Sequence, residues 1–276
     1  MPNAPPMRVL IRRHSLMVRV THWVNVVALV VLLMSGLQIF NAHPALYWGQ
    51  DSRFAAPWIA MSAQERGERV VGVTTVGPLT FETTGVLGYS ARKGVMEPRG
   101  FPAWATIPSW RSLADGRIWH FAFAWLFVLN GLAYLSAAIL SGHLSNDLWP
   151  RRGELSPRHL AHEVVQHARL RFPKGEAARR YNVLQKGAYL AVILVLLPLM
   201  LATGLSMSPG MNAALPWLTE VFGGRQSART LHFLTASAIV AFVLVHLLMV
   251  VASGTWNNIR SMITGRYAIE VEEPAP

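Results

Sequence analysis

Hydrophobic residues dominate four long windows of the sequence, and none of these windows contains a lysine, arginine, aspartate or glutamate. They cover residues 20–50, 118–146, 187–219 and 230–259. A helix that crosses the hydrocarbon core of a bilayer needs about 20 predominantly apolar residues, so each window is long enough for one crossing. The pattern predicts an all-α integral membrane protein, a four-helix transmembrane bundle. We place the helices of this single membrane domain, 1–276, at about 20–40, 118–140, 187–207 and 230–253.

Two long segments connect the predicted helices, and they differ in composition. Residues 41–117 are rich in glycine, proline and tryptophan and include the β-like runs VVGVTT and GPLTFETTG, so we expect a long structured loop. In the second loop, 141–186, the run SPRHLAHEVVQHARL has the apolar spacing of an amphipathic surface helix. The tail NNIRSMITGRY is expected to form another short interfacial helix before a frayed acidic end.

The chain carries a formal net charge of +11, although only 14% of its residues are charged. In a membrane protein this excess is expected to contact anionic lipid rather than nucleic acid. Loops rich in lysine and arginine stay in the cytoplasm, and this rule predicts cytoplasmic termini in the bacterial inner membrane, with 41–117 outside. The first window exceeds a signal-peptide core and lacks a small-x-small cleavage site, so we expect it to be retained.

Candidate chemistry rests on histidine, because the chain has no cysteine for disulfides, iron–sulfur clusters or c-type haem attachment. Four of the ten histidines lie in the predicted helices, where an ionisable residue is costly and indicates function. Because successive helices alternate in direction, His22 and His246 fall at the inner depth, and His120 and His232 at the outer depth. The last two helical positions, 232 and 246, are about 21 Å apart and lie within about 40° of one helix face.

Two imidazoles that face each other without cysteine or carboxylate suit the axial positions of haem iron. We therefore predict two b-type haems, with His22 and His246 as iron ligands of the inner haem and His120 and His232 as those of the outer haem. A single histidine in an apolar helix more often only bonds a neighbouring helix, but four that pair by depth favour ligation. His14 is the alternative to His22.

Two further patterns accompany the histidines. Arg19, Arg117 and Arg229 each precede a candidate ligand by three residues, so they are candidates to bind haem propionates or to anchor the helix ends in the headgroup layer. Gly36 and Gly131 follow His22 and His120 by 14 and 11 residues, which returns each glycine to its ligand's face. Each would give the edge of the other porphyrin room, although glycine also serves close helix packing.

Several motifs together resemble one known group of proteins. They are RVTHW in the first helix, GRIWHFAFAWLFVLNG in the second, RYNVLQK before the third, and the His232–His246 pair. The chain is similar over most of its length to the four-helix dihaem cytochrome b subunits of the bacterial cytochrome b561-like superfamily. That group includes the gamma subunit of formate dehydrogenase, the cytochrome b of nickel–iron hydrogenase and the thiosulfate reductase anchor.

The resemblance implies the same histidine pairing and a quinone site beside the inner haem. Asn182 and Gln185, near His246, would hydrogen-bond the quinone carbonyls, and Lys186 would take up protons or merely reach the headgroups. The family pattern has glycine where this chain has Leu184, which affects the shape of the pocket. RYNVLQK is alternatively only the polar start of a helix.

The resemblance further implies electron transfer between the quinone pool and a periplasmic redox subunit, with substrate chemistry in that partner rather than in this chain. HPALYWG and FPAWATIPSW are similar to the anchors of molybdopterin oxidoreductases; a hydrogenase-like partner or a cytochrome c is also open. One alternative function is a self-contained cytochrome b that oxidises superoxide and reduces quinone. A histidine-lined metal transporter is the other.

Overall fold

The structure is a computed structural model that describes residues 7–172 and 181–271. Arg180 of the RYNVLQK motif, part of the basic inner loop and the last acidic residues lie outside the described residues. Nine α-helices are described within those ranges: α1 (Leu16–Phe40), α2 (Leu113–Leu140), α3 (Pro157–Ala168), α4 (Val183–Ala191), α5 (Leu197–Ser206), α6 (Pro209–Ala214), α7 (Pro216–Val221), α8 (Arg225–Ala252) and α9 (Thr255–Thr264). The strands are β1 (Met7–Arg12), β2 (Ala45–Leu46), β3 (Ile59–Arg66), β4 (Arg69–Val76), β5 (Leu79–Glu82), β6 (Gly88–Arg92), β7 (Val95–Arg99) and β8 (Arg266–Val271).

Four helices in the described chain are long and apolar enough to cross a membrane, which confirms the predicted helical membrane fold. They are α1, α2, α8 and the stretch Val183–Ser206, in which α4 and α5 are joined by a π-helix, Val192–Leu196. The wider π turn precedes Pro198, whose ring would otherwise meet a carbonyl of the preceding turn. The helices start several residues before the charge-free windows, because they continue through polar turns that contain Arg19, Arg117 and Arg229.

Contacts divide the chain into two compact units. The first, here called the terminal unit, comprises the described parts of residues 1–23, 130–198 and 238–276. The second, here called the middle unit, comprises residues 24–129 and 199–237. His22 and His246 therefore belong to the terminal unit, and His120 and His232 to the middle unit.

The middle unit contains β-structure, so the all-α class is too narrow. Strands pair antiparallel in the order β2-β3-β4-β5, and β6 and β7 form a separate hairpin. The run VVGVTT lies in β4, where β-branched residues fit a pleated surface. Gly88, at φ +77°, lets the hairpin approach the sheet, because a Cβ there would lie 2.5 Å from the Ser62 carbonyl oxygen.

The core of the middle unit joins this sheet to helix ends. Phe40 at the end of α1 packs with Leu46 and Met61, and the ring centroid of Phe233 in α8 lies 5.0 Å from that of Phe40. Gly49 after β2 holds the first turn of α8 by accepting backbone hydrogen bonds from Gln226 and Ser227, at 3.0 and 3.1 Å. The predicted structured loop is thus packed onto the end of α1 and the first turns of α8, the helix that carries His232.

The terminal unit contains a pairing that the sequence did not indicate. Strands β1 and β8 are antiparallel, with Met7 opposite Val271 and Arg12 opposite Arg266. Asn257 of α9 clamps β8, since its side chain both donates to and accepts from the Ala268 backbone at 2.9 Å. The prediction of a frayed end directly after the interfacial helix is therefore wrong as far as residue 271.

A buried arginine organises the segment between β7 and α2. Arg99 is 2% exposed and donates to Glu97, to the carbonyls of Phe101 and Ser109, and to the Thr106 hydroxyl, at 2.7–3.1 Å. Burial lowers the pKa of Arg99, and the neighbouring Glu97 carboxylate opposes this shift. Without Arg99 the Ser109 carbonyl and the Thr106 hydroxyl lose this donor, while the Phe101 carbonyl and Glu97 keep their bonds from Asn41 and Arg92, so the segment depends strongly on this one side chain.

We predict that Arg99→Leu destabilises the middle unit by about 2–4 kcal/mol, because it removes a buried donor that bonds four acceptors at once. Thermal unfolding of the purified protein, followed by tryptophan fluorescence, measures the effect. Arg92→Leu is the matched control, because Arg92 also contacts Glu97 but is 34% exposed. Equal midpoints for the two variants would contradict the assigned role of Arg99.

Candidate functional site: two facing histidine pairs

The four membrane histidines form two facing pairs. In the middle unit, the ring centroids of His120 on α2 and His232 on α8 are 6.3 Å apart. In the terminal unit, the ring centroids of His22 on α1 and His246 on α8 are 6.4 Å apart. The rings within each pair are inclined at 63° and 61°. The structure thus brings together the same histidines that the sequence analysis paired by their expected depth in the membrane.

The separations fit one metal ion between two imidazoles. Metal–imidazole bonds of about 2.0–2.1 Å, plus roughly 1.1 Å from each nitrogen to its ring centre, predict centroids about 6.2–6.4 Å apart. Within the described residues, no group of three or more His, Cys, Asp or Glu side chains could hold a metal ion. The donor set at each pair is therefore two imidazoles alone, which suits haem iron rather than a site built from protein ligands only.

The His120–His232 pair rests on hydroxyl groups and glycines of neighbouring helices. Nδ1 of His120 is 3.1 Å from the Ser35 hydroxyl, and Nδ1 of His232 is 3.0 Å from the Thr203 hydroxyl. The following residues are glycines, and a Cβ at Gly36 or Gly204 would lie only 3.4 or 3.3 Å from Cε1 of the corresponding ring. The Nδ1 side of each imidazole thus lies against a neighbouring helix, which leaves Nε2 for the side of the opposite imidazole.

The His22–His246 pair has aromatic neighbours. Trp23 presents its edge to His22 at 5.4 Å, and its indole donates to the Met262 carbonyl of α9 at 3.2 Å. Phe242, one turn before His246, stacks on that ring at 5.9 Å. Aromatic side chains on both sides restrict the two imidazoles to their facing orientation.

The three arginines one turn before the ligands lie in different surroundings. Arg19 donates to the Ile263 carbonyl, while its Nε is buried without a hydrogen-bond partner among the described residues. Arg229 donates to the His43 carbonyl and lies 5.3 Å above the Phe40 ring. Arg117 is exposed, and its guanidinium lies 5.5 Å from the Phe121 centroid. Of the three, Arg19 has a buried donor available to a ligand.

The two glycines singled out by the sequence also differ. Gly36 follows His22 on α1 but lies against His120, a member of the other pair, at the depth that the sequence predicts for this glycine. Gly131 faces open space, because a Cβ there would meet nothing within 4 Å. Its side of α2 therefore has room for a bound group, but it contacts no candidate ligand.

His14, the alternative to His22, lies against a tyrosine. Its Nδ1 is 3.4 Å from the Tyr181 hydroxyl, whereas His22 faces His246. Burial lowers the pKa of His14 to about 4, with further lowering by Arg13 and other nearby positive or titrating groups. The folded protein therefore keeps this imidazole neutral at physiological pH.

The residues predicted to bind quinone form a helix start. Asn182 caps α4: its side chain accepts from Leu184 N–H at 2.8 Å and donates to Glu163, while Gln185 Oε1 accepts from its backbone N–H at 3.2 Å. Lys186 is 5% exposed and pairs with both oxygens of Glu154, at 2.9 and 3.0 Å. Burial alone would raise the pKa of Glu154, but the bonds from Lys186 and Arg151 lower it below its usual value.

A cavity of about 850 Å³ lies in the terminal unit, next to this helix start. Its lining includes Lys186, Tyr181, His14 and Glu154, but neither Asn182 nor Gln185. The volume falls in the range of ligand pockets. The amides expected to bind quinone are therefore engaged in capping, and this cavity is lined by their neighbours Tyr181 and Lys186 instead.

Sequence reasoning missed Ser35, Thr203 and Gly204. Serine and threonine in membrane helices commonly bond their own backbone, so neither hydroxyl was distinctive by itself. Hydroxyl–glycine dipeptides occur in all four apolar windows, and the available signal was that Ser35-Gly36 and Thr203-Gly204 are the two that lie wholly inside the predicted helices.

Four apolar helices with two facing imidazole pairs form the arrangement that the sequence predicts for a helical membrane protein of the b-type haem class. Comparison with protein families agrees: the family model described as prokaryotic cytochrome b561 matches residues 13–265. The chain therefore belongs to the prokaryotic cytochrome b561 family, whose cofactor is haem b. It is 30% identical over 237 residues to YedZ1 of Azospira oryzae, a candidate protein-methionine-sulfoxide reductase subunit. That match covers 86% of this chain and 89% of the relative. No solved structure matches the chain.

We predict that the lowered pKa of His14 makes stability fall in mild acid. As the pH drops below 6.5, His14 of the unfolded chain binds a proton. In the folded chain His14 binds this proton only near pH 4, so proton binding favours the unfolded state between these values. His14→Gln should therefore reduce the loss of stability between about pH 7 and about pH 5 by about 1–2 kcal/mol.

Thermal unfolding at both pH values measures this difference. His162→Gln is the control, because His162 lies on the exposed surface of α3. An unchanged acid loss in His14→Gln would show that the group responsible lies elsewhere.

Proposed function

We propose that this chain is a dihaem electron-transfer subunit that connects the membrane quinone pool to an oxidoreductase outside the cytoplasm. The two facing imidazole pairs carry the proposal, because their centroid separations of 6.3 and 6.4 Å are those expected if each pair held one iron. Family membership supplies haem b, and two equivalent pairs support two haems. When bound, haem supplies a reversible one-electron carrier.

In this proposal the protein's own residues hold and insulate the carriers. His120 and His232 bind one iron, and His22 and His246 bind the other. Gly131 leaves room on α2 for a porphyrin edge. The Nε of Arg19 is buried and has no hydrogen-bond partner in the part of the chain that the structure describes, which supports a role towards a propionate, since a buried guanidinium donor needs an acceptor. Arg117 and Arg229 remain candidates for the same role. We further propose one membrane cytochrome b domain that combines both units, with cytoplasmic termini.

The partner is proposed from the relative. YedZ1 is described as a reductase subunit for protein methionine sulfoxide, and sulfoxide reduction to a thioether and water consumes two electrons and two protons. We therefore infer that electrons run from quinol through the two haems to a periplasmic reductase, with molybdopterin as its expected cofactor. The structured middle unit, with exposed Trp48, Phe54 and Trp104, supports an outer docking surface. Substrate chemistry then belongs to the partner.

We predict that His120→Ala and His246→Ala each remove one of two haems. Each substitution leaves an iron with one protein ligand, while the other pair keeps both. Haem extracted per purified chain and the reduced visible spectrum provide the count. His162→Ala on α3 is the control and should retain both haems. Full haem content in His120→Ala would contradict the pairing, and colourless wild-type protein would contradict the whole function.

The quinone site is proposed at the start of the third membrane helix. Asn182, Gln185 and Lys186 lie there on the chain, and the cavity lined by Lys186 provides space for a head group. Quinone carbonyls need hydrogen-bond donors; the Lys186 ammonium group lines the cavity, and the amide nitrogens of Asn182 and Gln185 belong to the same helix start but lie outside this lining. His246 belongs to the same unit, which supports electron exchange with the haem that it is proposed to bind.

We predict that Gln185→Glu separates quinone binding from helix capping. Glutamate keeps the oxygen that accepts from Asn182 N–H but loses the amide donor. Haem content should be unchanged, while anaerobic reduction of the haem by a soluble quinol analogue should slow by about tenfold, the value of one hydrogen bond. Gln185→Ala, which loses the cap as well, is the comparison. Wild-type reduction rates in Gln185→Glu would contradict a donor role for Gln185.

A further inference from the structure

Two helices each place a hydroxyl residue followed by a glycine against one of the two histidines of the middle unit. Ser35-Gly36 on α1 faces His120, and Thr203-Gly204 on α5 faces His232. In both cases the hydroxyl lies about 3 Å from Nδ1 and the glycine lies beneath Cε1. Both hydroxyl residues are fully buried, with 0% exposure.

The direction of these hydrogen bonds follows from the proton inventory of a hydroxyl group. A hydroxyl has one proton to donate. The Ser35 oxygen lies 2.6 Å from the Val31 carbonyl oxygen, and the Thr203 oxygen lies 2.6 Å from that of Leu199. A carbonyl can only accept, so the hydroxyl proton lies on these short bonds. Towards the imidazole, each hydroxyl is therefore an acceptor.

The imidazoles must then donate from Nδ1. A neutral imidazole with its proton on Nδ1 has its lone pair on Nε2. Both rings are thus fixed in the tautomer that can bind a metal through Nε2.

The glycines make this arrangement possible. A methyl group at Gly36 or Gly204 would lie 3.4 or 3.3 Å from Cε1, and the ring would have to shift by a few tenths of an ångström. Without side chains, the helix backbones let the hydroxyls reach Nδ1 from directly behind the rings.

We propose that Ser35 and Thr203 are positioning residues that hold His120 and His232 as Nδ1–H tautomers and lower the reduction potential of the haem between them. This rests on the proposed function, in which the pair binds haem iron. A ligating imidazole that donates its other N–H becomes a stronger electron donor. Stronger donation favours ferric iron, so each hydroxyl stabilises the oxidised haem of this pair.

The test is a redox titration of the purified holoprotein, followed in the visible spectrum. Ser35→Ala and Thr203→Val remove one acceptor each, and Thr203→Val preserves volume. We expect one of the two haem midpoints to rise, by at most about a tenfold change in its one-electron equilibrium constant, which is 59 mV. The other midpoint should stay unchanged, as should the haem content.

Two further variants separate tuning from structure. Thr203→Ser retains the hydroxyl and should restore the wild-type midpoint. Thr235→Val is the matched control, because Thr235 is 5% exposed and donates to the Leu231 carbonyl at 2.7 Å in the same way. Thr235→Val should leave both midpoints unchanged, since the hydrogen bond of this hydroxyl goes to its own helix backbone and not to an imidazole.

Distinct results would overturn the two proposals. Unchanged midpoints in Ser35→Ala and Thr203→Val, with both haems retained, would contradict the tuning role alone. A raised midpoint that Thr203→Ser fails to restore would also contradict it. A wild-type protein without b-type absorption, or His120→Ala with full haem content, would instead contradict the proposed function. The haem that His246→Ala retains identifies which midpoint belongs to the His120–His232 pair.

Discussion

An imidazole inside an apolar helix must have both ring nitrogens satisfied, and this requirement organises the functional part of the molecule. Burying an unpaired polar group costs several kcal/mol in hydrocarbon. In the middle unit, Nδ1 is satisfied by a hydroxyl of a neighbouring helix, and Nε2 faces the second imidazole across a gap that a metal ion would fill. Helix positions, small residues and hydroxyls all follow from these two needs.

The hydroxyls meet the same requirement themselves. Ser35 and Thr203 give their protons to carbonyls of their own helices, so neither leaves a buried donor unpaired. A hydroxyl whose proton is already bonded to a carbonyl can accept a further hydrogen bond through its oxygen but cannot donate one. The membrane helix thereby supplies an acceptor at a defined depth without the cost of a carboxylate, which would carry a charge into the bilayer.

Much of this arrangement could be predicted from the sequence. Charge-free windows located the four membrane helices, and alternating helix direction paired His22 with His246 and His120 with His232 from depth alone. The structured loop 41–117 was anticipated from its β-branched runs, although all-α was too narrow a class. Helix starts were misplaced because charge marks the edge of the hydrocarbon, whereas the hydrogen-bond ladder of a helix continues into polar turns.

What the sequence could not indicate depends on contacts distant along the chain. The Ser35 and Thr203 hydroxyls gain meaning only from the imidazoles opposite them, 85 and 29 residues away. Arg99 is one of many arginines in the sequence, and its burial follows from the loop that wraps it. Asn182 and Gln185 illustrate the reverse, since one polar motif suits both a quinone and a helix cap, and local capping already engages both side chains.

The pairing of β1 with β8 has a consequence for biosynthesis. The ribosome makes β1 first and its partner last among the described elements, after every membrane helix has been synthesised. During translation, the backbone of β1 therefore has no β8 to pair with while the translocon inserts the helices. Pairing of these two strands is therefore a late event in maturation, and it places residues 7–12 beside residues 266–271.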